Sequence, residues 1–500
     1  MSNRSEAGVW SRCRIPSVFC LSLKGPLSRV RELAGNLPPW VSWIELRLDL
    51  LSPHQLASRE WLEFPTAYGR EWLATWRSPE EGGTSGALPE GLYGDALEHG
   101  FRWVDVEAWQ FALDGAALDR IPPERRWVSA HLRETPANVS TLRDQWERVS
   151  RHPAAVHKMV LPPSGFETND RVTELLDILP PSPRAIFVSG WPGHPSRILD
   201  FWSGQSVVLV AADDRSATAP GQPSLDRVGR VYGLPQLETP TALFGVLGYP
   251  IRHSRSPEIH NHVFRTLGKR SLYLTLESPH PEPVIDWVRR GKLTGVSVTA
   301  PFKESVVPLV DDLEEPARRI GAVNTIWREG SRLRGANTDI EAATQILREL
   351  GVRSGEAVAI LGAGGSARAV AAGATENGLS PTLFNRDPAR GLRSAEVCGA
   401  RYGGDPSTCV PGSFAVLVNT TPLGSLEPIP TSLVNADWGQ TTIIDIVYGP
   451  EPTAWERLAR EEGLGFRGGL EFLARQAGGA LERWIGVRPS APLLAEGLAR

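Results

Sequence analysis

The chain has 500 residues, of which 41% are hydrophobic and 22% charged, and its formal net charge is -4. This composition is typical of a globular protein of roughly two to four domains. A slightly acidic balance argues against a nucleic-acid or anionic-membrane partner held by bulk charge, although a local basic pocket could still bind a small anion. No apolar run reaches the roughly 18 residues of a membrane-spanning helix, so none is predicted.

Cysteine usage and the first residues bear on location. The four cysteines are Cys13, Cys20, Cys398 and Cys409. They form neither a CxxC motif nor a cluster with histidine, which is typical of a reduced, cytoplasmic protein without a metal site. Residues 1–16 lack the apolar core of a signal peptide, and strand-like sequence begins at Ser17. We therefore expect neither a signal peptide nor a long transit peptide.

Short apolar runs recur through the first half of the chain. They lie at 17–23, 41–49, 71–77, 101–107, 126–131, 156–161, 185–190 and 206–212. Each is rich in strand-forming residues, and the polar segments between them, such as 135–151, are long enough for one helix each. Eight strand–helix units predict an α/β fold with an N-terminal (β/α)₈ TIM barrel. An open doubly wound sheet is the alternative.

Polar residues fall late in several of these runs, where barrel enzymes place their chemistry. Glu45 and Arg47 lie late in the second run, Arg77 ends the third, and His131 ends the fifth. Lys158 interrupts the sixth run, VHKMVL. Burial in an apolar wall would lower the pKa of this lysine and make it nucleophilic near neutrality. The alternative is a strand-edge lysine whose ammonium reaches water.

Six short motifs in the first half occur in one order and spacing. They are IELRLD (44–49), TWRSPEEGG (75–83), SAHLRETP (129–136), HKM (157–159), SR (196–197) and APGQ (219–222). Together they resemble type I 3-dehydroquinate dehydratase over residues 16–235. The resemblance implies that Lys158 forms an imine with the C3 ketone of 3-dehydroquinate. It also implies that His131 removes the C2 proton and then helps the C1 hydroxyl to leave, and that Glu81 orients His131.

The resemblance assigns the remaining polar residues of this half to substrate binding. Arg197 is expected to pair with the substrate carboxylate. The other expected contacts to hydroxyls and carboxylate are Glu45, Arg47, Arg77, Thr218 and Gln222. Arg47 could instead support the wall by pairing with a carboxylate. Two positions depart from the family pattern: Thr218 replaces a serine, and HLRETP replaces an HDF-type sequence after His131. His157, on the opposite face of the strand, is interpreted as structural.

The second half begins after a linker predicted at 236–241. It is expected to contain a shikimate-binding lobe at 242–340, a Rossmann NADP-binding lobe at 341–468, and a C-terminal helix at 469–500 that returns to the substrate lobe. The turn GAGGSA (362–367) follows an apolar run and opens an Ala-rich segment, which predicts a dinucleotide site at a helix N-terminus. About 20 residues further on, Arg386 favours NADP, whereas Asp387 beside it would repel a phosphate.

The motifs of the second half also occur in a fixed order. They are GYPIRHSRSPEIHN (248–261), GVSVTAPFKE (295–304), GAVNTI (321–326), GANTDIEA (335–342), VNTTPLG (418–424), DIVYGPEPT (445–453) and GGLEFLARQA (468–477). This set resembles shikimate dehydrogenase over residues 242–490. The resemblance implies that Lys303, held by Asp339, delivers a proton to the carbonyl oxygen of 3-dehydroshikimate as hydride reaches the carbon.

Further site residues follow from the same resemblance. Ser254 and Ser256 are expected to bind the substrate carboxylate. The predicted contacts to the ring hydroxyls and carboxylate are Thr299, Asn324, Tyr448 and Gln476. The predicted cofactor contacts are Gly362, Ala363, Gly364, Gly365, Asn385, Arg386 and Asn419.

Three departures from the shikimate dehydrogenase pattern put individual contacts in question. Ser297 replaces an asparagine, Ser425 replaces a methionine, and Glu471–Phe472 replaces part of a Met-Leu pair in the last helix. The histidines of the first motif, His253 and His260, are interpreted as structural or supporting residues.

Together the resemblances predict a bifunctional enzyme that converts 3-dehydroquinate to 3-dehydroshikimate and then to shikimate with NADPH. One alternative is that the second half prefers quinate or NAD, with Ser256 and Asp387 as the residues to examine. Another is a non-catalytic sensor of these acids. The retention of Lys158, His131 and Lys303 argues against a sensor.

Overall fold

The fold is described from a computed structural model, which covers residues 17–83, 86–118, 120–180, 182–202 and 207–499. The expectation about targeting signals in residues 1–16 lies outside these ranges. The chain divides into two compact units, Met1–Thr241 with Leu276–Ser278, and Ala242–Thr275 with Pro279–Arg500. No helix in the described part of the chain combines the length and the apolar character needed to cross a membrane.

Eight parallel strands form the sheet of the first unit. They are β1 (Val18–Leu23), β2 (Val41–Arg47), β3 (Glu71–Thr75), β4 (Trp103–Glu107), β5 (Arg126–His131), β6 (Val156–Leu161), β7 (Arg184–Val188) and β8 (Val207–Val210). Each strand pairs with its sequence neighbour from β1 to β7, and β1 also pairs with β8. The pairing of the first strand with the last confirms the predicted barrel, and the open doubly wound sheet is wrong for this half.

Helices follow most of these strands. They are α1 (Leu27–Gly35), α2 (Pro53–Ser58), α3 (Phe64–Tyr68), α4 (Leu92–Glu98), α5 (Phe111–Leu118), α6 (Val139–Ser150), α7 (Thr168–Ile178) and α8 (His194–Leu199). The prediction that Arg77 ends the third strand is wrong. β3 ends at Thr75, and Arg77 lies in the segment leading to a 3₁₀ turn at Pro79–Glu81. The apolar run continues past the strand because Trp76 is buried beneath that segment.

Large aromatic side chains fill part of the barrel interior. Trp43 packs against Trp103 and Trp127, with ring centroids 4.4 and 5.9 Å apart. These three tryptophans stand near the starts of β2, β4 and β5, and they join a buried cluster with Cys20 and other strand residues. The N-terminal end of the barrel is thus a packed core, which leaves the C-terminal ends of the strands for chemistry.

The second unit begins with a mixed six-stranded sheet in the order β10-β9-β11-β13-β14-β12. Its strands are β9 (Ala242–Gly248), β10 (Ser271–Glu277), β11 (Gly295–Val298), β12 (Asp312–Leu313), β13 (Thr325–Glu329) and β14 (Arg332–Ala336). The three runs expected at 243–248, 272–276 and 294–299 correspond to β9, β10 and β11.

A second six-stranded sheet follows, in the order β17-β16-β15-β18-β19-β20 with every pair parallel. Its strands are β15 (Ala357–Leu361), β16 (Ser380–Phe384), β17 (Arg401–Gly404), β18 (Val416–Asn419), β19 (Thr442–Asp445) and β20 (Phe466–Gly468). The strand order reverses beside β15, between β16 and β18. Ligands of open parallel sheets bind at such a point, beyond the carboxyl ends of the strands.

Ten helices cover these two sheets in the described chain. They are α9 (Ser256–Thr266), α10 (Glu282–Arg289), α11 (Glu315–Ile320), α12 (Thr338–Glu349), α13 (Gly365–Glu376), α14 (Pro388–Cys398), α15 (Thr431–Val434), α16 (Ala454–Glu461), α17 (Gly469–Ile485) and α18 (Ala491–Glu496). The single C-terminal helix predicted at 469–500 is wrong: Gly486, with φ +71°, ends α17, and the separate helix α18 follows. Ala477 and Leu481 of α17 pack into the core of the first sheet, whereas Phe472 packs into the core of the second.

Close packing of α12 against α13 gives a stability prediction. A Cβ at Gly373 would lie 2.9 Å from both Ala343 Cβ and Thr344 N. Gly373→Ala is therefore expected to destabilise the second unit by about 1–3 kcal/mol. The control is Gly94→Ala in α4, where a Cβ meets nothing within 4 Å, and which should stabilise the first unit by about 0.5–1 kcal/mol. Differential scanning calorimetry measures both; an unchanged transition in Gly373→Ala would contradict the close contact.

Candidate active sites

A cavity of about 290 Å³ opens at the C-terminal ends of the barrel strands. All nine residues predicted for the first site line it: Glu45, Arg47, Arg77, Glu81, His131, Lys158, Arg197, Thr218 and Gln222. They come from β2, β5, β6, α8 and the segments after β3 and β8, so the barrel gathers residues that are far apart in the chain.

Lys158 is a buried lysine without a direct carboxylate contact. Its side chain is 6% exposed, and Nζ lies 4.0 Å from Glu45 Oε1 and 3.9 Å from Asp105 Oδ2. Glu45 is occupied by hydroxyl donors, since Ser22 Oγ lies 2.5 Å from Oε2 and Thr75 Oγ1 lies 2.9 Å from Oε1. Burial lowers the pKa of Lys158, and the two carboxylates only partly oppose this. The amine is therefore biased towards its free, nucleophilic form.

His131 and Glu81 form a hydrogen-bonded pair at the rim. His131 Nδ1 lies 2.8 Å from Glu81 Oε2, and the His131 backbone N–H donates to the same oxygen at 3.2 Å. Burial, with the positive charges of Arg77 and Lys158, lowers the pKa of His131 well below its usual value. Burial, reinforced by Glu107 and Asp105, raises the pKa of Glu81 to about 8. Near neutrality the pair thus holds its proton on Glu81 and leaves His131 neutral.

The sequence HLRETP, which departs from the family pattern after His131, does not disturb this pair. Leu132 continues the strand contact by donating its N–H to Val160 O at 2.8 Å, and Arg133 turns outwards to the carbonyl of Glu80. A different loop sequence is tolerated because the strand register alone positions His131.

Arg77 is enclosed by carboxylates. Its guanidinium lies 2.5 Å from Asp105 Oδ2, 2.9 Å from Glu107 Oε1 and 3.1 Å from Glu81 Oε2, and it also donates to Ser129 Oγ. Its predicted contact with substrate stays a prediction, because protein carboxylates already occupy most of its donors. The sequence interpretation missed Asp105 and Glu107, although acids alternating along β4 point to one face of a strand.

Arg47 and Arg197 differ in their partners. Arg47 pairs with the buried Asp49 at 2.7 Å, which favours the alternative that it supports the wall. Arg197 is buried, and its guanidinium stacks 4.0 Å from the centre of the Phe187 ring. Among the described residues, Arg197 Nη2 donates to Pro220 O at 3.4 Å, and Nε has no partner. Desolvation lowers the pKa of Arg197 to about 9. A buried cation without a carboxylate is a binding site for an anion.

A second cavity of about 300 Å³ lies in the second unit. It is lined by all eight residues predicted for catalysis and substrate binding there: Ser254, Ser256, Thr299, Lys303, Asn324, Asp339, Tyr448 and Gln476. The cavity lies between the two sheets, with its remaining walls from α9, α12 and α17.

Lys303 and Asp339 form an ion pair inside this cavity. Lys303 Nζ lies 2.5 Å from Asp339 Oδ2 and donates to Ser366 Oγ at 2.9 Å. Asn324 Nδ2 donates to the other oxygen, Asp339 Oδ1, at 2.8 Å. The carboxylate is thus held from both sides and fixes the ammonium group. Ser366, on α13 of the other sheet, was missed because only the approach of the two sheets brings it to Lys303.

Hydroxyl groups gather at the end of the cavity near α9. Ser254 Oγ donates to Ser256 Oγ at 3.2 Å, and Tyr448 Oη accepts from Arg255 N at 3.4 Å. Ser297 Oγ lines the cavity without a well-formed hydrogen bond to the described residues, and the fully buried Tyr273 Oη lies behind it, against Ser297 and Ser256. The hydroxyls that line the cavity suit a carboxylate or hydroxyl of a bound ligand. Tyr273 lies in the middle of β10, and the sequence analysis did not single it out.

The glycine-rich turn leaves room for a phosphate. Gly362 has φ +119°, and a Cβ there would lie 2.4 Å from Thr420 Oγ1. Gly364 is the N-cap of α13 and offers no side chain to the first N–H groups of the helix. A Cβ at Gly365 would lie 3.0 Å from Lys303 Cβ, so glycine allows the turn to approach Lys303. The turn fits a pyrophosphate at a helix N-terminus.

Two arginines stand next to the turn, after β16. Arg386 pairs with Glu427 at 2.8 Å, and Arg390 pairs with Glu304 at 3.3 Å. The Asp387 carboxylate caps α14 by accepting from Arg390 N. This hydrogen bond engages the carboxylate and reduces the repulsion that it would exert on a bound phosphate. The sequence interpretation missed Arg390, although it lies one helical turn after Arg386.

The two predicted cofactor asparagines are engaged within their own loops. Asn419 Nδ2 donates to Thr421 O, Leu423 O and Asp445 Oδ1, and Asn385 Nδ2 donates to Asp387 O. Their predicted cofactor contacts stay predictions, and these bonds favour a role in shaping the loops.

The remaining departures have different consequences. Glu471 pairs with Arg475 on α17, away from the cavity, whereas Phe472 lines it. Ser425 is exposed and donates to Pro422 O. His260 is fully buried against Tyr273, with ring centroids 4.1 Å apart, while His253 lines the cavity.

Comparison with known proteins addresses both units. A family model described as type I 3-dehydroquinase matches residues 19–239, and one described as the shikimate dehydrogenase substrate binding domain matches residues 246–326. A shikimate dehydrogenase (NADP(+)) of Halothermothrix orenii is 32% identical over 268 residues, which cover 50% of this chain and 92% of the relative.

Two further relatives contain both enzymes. The chloroplastic bifunctional 3-dehydroquinate dehydratase/shikimate dehydrogenase of Arabidopsis thaliana is 29% identical over 419 residues, covering 78% of this chain and 68% of the relative. A solved structure of dehydroquinate dehydratase and shikimate dehydrogenase from S. pombe has 24% identity and a TM-score of 0.43, covering 97% of this chain and 98% of its own.

The fold and the two cavities define the class of protein: a lysine-containing lyase barrel joined to a two-sheet oxidoreductase with a dinucleotide turn. The chain belongs to the shikimate dehydrogenase family through its second half, and its first half is a type I 3-dehydroquinase unit. Both predicted resemblances are confirmed.

The raised pKa of Glu81 predicts how barrel stability depends on pH. Its pKa is 4.5 when unperturbed and about 8 in the folded barrel. The stability that Glu81 contributes relative to Glu81→Gln is therefore full below pH 4.5 and is lost as the pH rises through about 8. Urea unfolding of the barrel between pH 5 and 9 should show this difference with a slope of up to about 1.4 kcal/mol per pH unit. Glu80→Gln, at the exposed neighbouring position, is the control; a pH-independent difference for Glu81→Gln would contradict the prediction.

Proposed function

We propose that this chain catalyses two successive reactions, the dehydration of 3-dehydroquinate to 3-dehydroshikimate and the NADPH-dependent reduction of that product to shikimate. The observation that carries the proposal is that one chain holds two complete chemical sets, each in its own cavity. Lys158 with His131 stands in the first, and Lys303 with Asp339 stands in the second.

In the barrel, Lys158 Nζ attacks the C3 ketone, and loss of water gives a cationic imine. The imine draws electrons from C2, so neutral His131 removes the C2 proton. The C1 hydroxyl then leaves with a proton from His131, and water releases the enone and the free lysine. Arg197 and Gln222 hold the carboxylate, for which the unpaired Arg197 guanidinium is suited.

In the second unit, Lys303 donates a proton to the carbonyl oxygen of 3-dehydroshikimate. Asp339 holds the ammonium group at 2.5 Å and keeps it aimed into the cavity. The hydroxyls of Ser254 and Ser256 bind the substrate carboxylate, while Asn324 and Gln476 contact ring hydroxyls. The residues of the glycine-rich turn would hold NADPH, which would supply the hydride.

NADP fits the residues around that turn. Gly362 and Gly364 make room for the pyrophosphate, and the guanidinium groups of Arg386 and Arg390 suit a 2′-phosphate. Relatives named NADP(+)-dependent shikimate dehydrogenases support the choice. NAD as the preferred cofactor stays the less favoured alternative.

We also propose the division of the chain and its location. The dehydratase occupies 17–235, the substrate lobe 242–340, and the NADP-binding lobe 341–468, with the C-terminal segment 469–500, which contains α17 and α18, returning to the substrate lobe. Three buried free thiols, Cys20, Cys398 and Cys409, support a reducing compartment and hence the cytoplasm.

The first reaction is tested by trapping the imine. Incubation with 3-dehydroquinate followed by borohydride should reduce the adduct onto Lys158, which peptide mass spectrometry locates. Lys158→Ala should lose both the adduct and dehydration. An adduct on another lysine would contradict the assignment. Lys303→Ala is the matched control: it should abolish NADPH oxidation with 3-dehydroshikimate while dehydration and trapping persist. Equal loss of both activities would mean that the two sites do not act independently.

A second candidate function is reduction of 3-dehydroquinate itself to quinate. The Ser297 hydroxyl favours it, because it lines the cavity without a well-formed hydrogen bond to the described residues, and Tyr273 Oη lies behind it against Ser297 and Ser256. Quinate-type acids carry a hydroxyl on the carbon that bears the carboxylate. A buried hydroxyl left without a partner costs about 1–3 kcal/mol, and a ligand hydroxyl would satisfy it.

Lys158→Ala allows this second candidate to be measured, because 3-dehydroquinate is then not dehydrated. We expect NADPH oxidation with quinate as the product by mass spectrometry. Adding Tyr273→Phe, which keeps the ring, should lower kcat/KM for 3-dehydroquinate about fivefold more than for 3-dehydroshikimate. Thr275→Val, which removes a different hydroxyl from β10, is the control. No NADPH oxidation with 3-dehydroquinate would contradict the second candidate.

A further inference from the structure

His194 is a fully buried histidine at the start of α8, outside the set of residues used in the chemistry above. Its Nε2 lies 2.8 Å from Tyr232 Oη, and its Nδ1 lies 3.3 Å from the carbonyl oxygen of Gly221. A carbonyl oxygen only accepts, so Nδ1 carries the proton. Nε2 then has a lone pair and accepts from the Tyr232 hydroxyl. Both ring nitrogens are therefore used, and the tautomer is fixed.

The charge state of His194 agrees with this arrangement. Burial, with the positive charges of Arg227 and Arg197, lowers the pKa of His194 to about 3. The lowered pKa favours the neutral ring near neutral pH, which agrees with a fixed hydrogen-bonding link.

The Gly221 carbonyl belongs to the loop 219–222 that ends at Gln222. Gly221 has φ +71°, and a Cβ there would lie 2.1 Å from the carbonyl oxygen of Gly190. On the other side, Pro220 O accepts from Gly190 N at 3.0 Å and from Arg197 Nη2 at 3.4 Å. The same short loop therefore fixes Gln222 directly and Arg197 through a carbonyl.

Arg197 depends on this loop because no carboxylate of the described residues pairs with it. Its guanidinium is held by the Phe187 ring and by Pro220 O. His194 and Arg197 lie three residues apart on α8, a spacing that places two side chains on one face of a helix. His194 thus ties the helix that carries Arg197 to the loop that carries Gln222.

Tyr232, the far end of the link, follows a π-helical turn at Arg227–Val231. Its backbone N–H donates to Arg227 O at 2.9 Å and closes that wide turn. Such turns are rare and frequently occur at functional sites. In this chain the turn places a fully buried tyrosine against the histidine.

We propose that His194 and Tyr232 are positioning residues for the barrel reaction, which set Arg197 and Gln222 at the distance that the substrate carboxylate requires. The proposal rests on the proposed dehydration of 3-dehydroquinate. It assigns neither residue a contact with substrate.

Two substitutions at position 194 separate the two hydrogen bonds. His194→Gln places its amide near Nε2 and loses the bond to Gly221, whereas His194→Asn places its amide near Nδ1 and keeps it. We expect His194→Gln to raise KM for 3-dehydroquinate about fivefold, the value of one hydrogen bond, with kcat within about twofold. His194→Asn should restore KM to within about twofold of the wild type. Tyr232→Phe, which only frees the ring of His194, should lie between them.

His157→Asn, which places its amide near Nδ1 and so loses the bond made by Nε2, is the matched control in the same barrel. His157 Nε2 also lies 2.8 Å from a backbone carbonyl, that of His152, but at the N-terminal side of β6. It should lower the melting temperature without changing KM. If His194→Gln likewise lowers only the melting temperature, the positioning role is contradicted.

A chain carrying both Arg197→Met and Gln222→Ala gives an independent readout, because its carboxylate contacts are gone. Adding His194→Gln to it should leave KM within about twofold, whereas a general effect on the barrel would raise KM fivefold again. A fivefold rise in that background would overturn the proposal. A wild-type chain that does not dehydrate 3-dehydroquinate would contradict the proposed function instead, and an active wild type with an unchanged KM in His194→Gln would contradict the positioning role alone.

Discussion

The separation between a lysine ammonium and its nearest carboxylate controls the chemistry of both halves. Lys158 Nζ stands 3.9 Å from Asp105 and 4.0 Å from Glu45, and burial lowers its pKa. Lys303 Nζ stands 2.5 Å from Asp339, in a hydrogen-bonded ion pair. A buried lysine without close compensation is biased towards the free amine, whereas a carboxylate in hydrogen-bond contact fixes the position of a lysine. The two environments therefore suit the two proposed roles, imine formation in one cavity and proton delivery in the other.

Arg77 limits the contact between Lys158 and the carboxylates of the barrel interior. A carboxylate close to Lys158 would raise its pKa, and Arg77 instead pairs with Asp105, Glu107 and Glu81. Because Asp105 contacts Arg77 at 2.5 Å, it approaches Lys158 only at the edge of ion-pair distance. At the rim, burial, reinforced by Glu107 and Asp105, raises the pKa of Glu81 to about 8. Burial and the positive charges of the same network also lower the pKa values of His131 and Lys158.

The sequence was sufficient for the parts of the molecule that depend on local pattern. The eight apolar runs predicted the barrel strands, and the interruption of VHKMVL by Lys158 predicted a lysine that the structure places within β6 and in the cavity wall. Contacts made only by packing were not predictable. Ser366 reaches Lys303 because two sheets approach at Gly365, and no local sequence pattern predicts the contact between these two side chains.

Some residues were visible in the sequence but not used. Asp105 and Glu107 alternate along β4, and Arg390 follows Arg386 by one helical turn, so strand and helix periodicity already placed them near the predicted sites. The partners of Arg47 and Arg77 could not be read in this way. Whether an arginine faces a substrate or a buried carboxylate is decided by neighbours from other strands, such as Asp105 for Arg77.

The two units keep their anion sites open by opposite means. Arg386 and Arg390 are exposed and paired with Glu427 and Glu304, and exposed pairs of this kind contribute only about 0–1 kcal/mol, so an incoming phosphate displaces the carboxylates at little cost. Arg197 is buried, and no carboxylate of the described residues pairs with it. The folded barrel therefore carries the free-energy cost of desolvating this guanidinium, and a bound carboxylate would offset that cost. Substrate binding in the barrel is consequently linked to the stability of the fold itself, since a ligand that binds only the folded state stabilises it. The loop 219–222 and helix α8 hold Arg197 in place, because a buried charge without an ion pair must be positioned by other contacts.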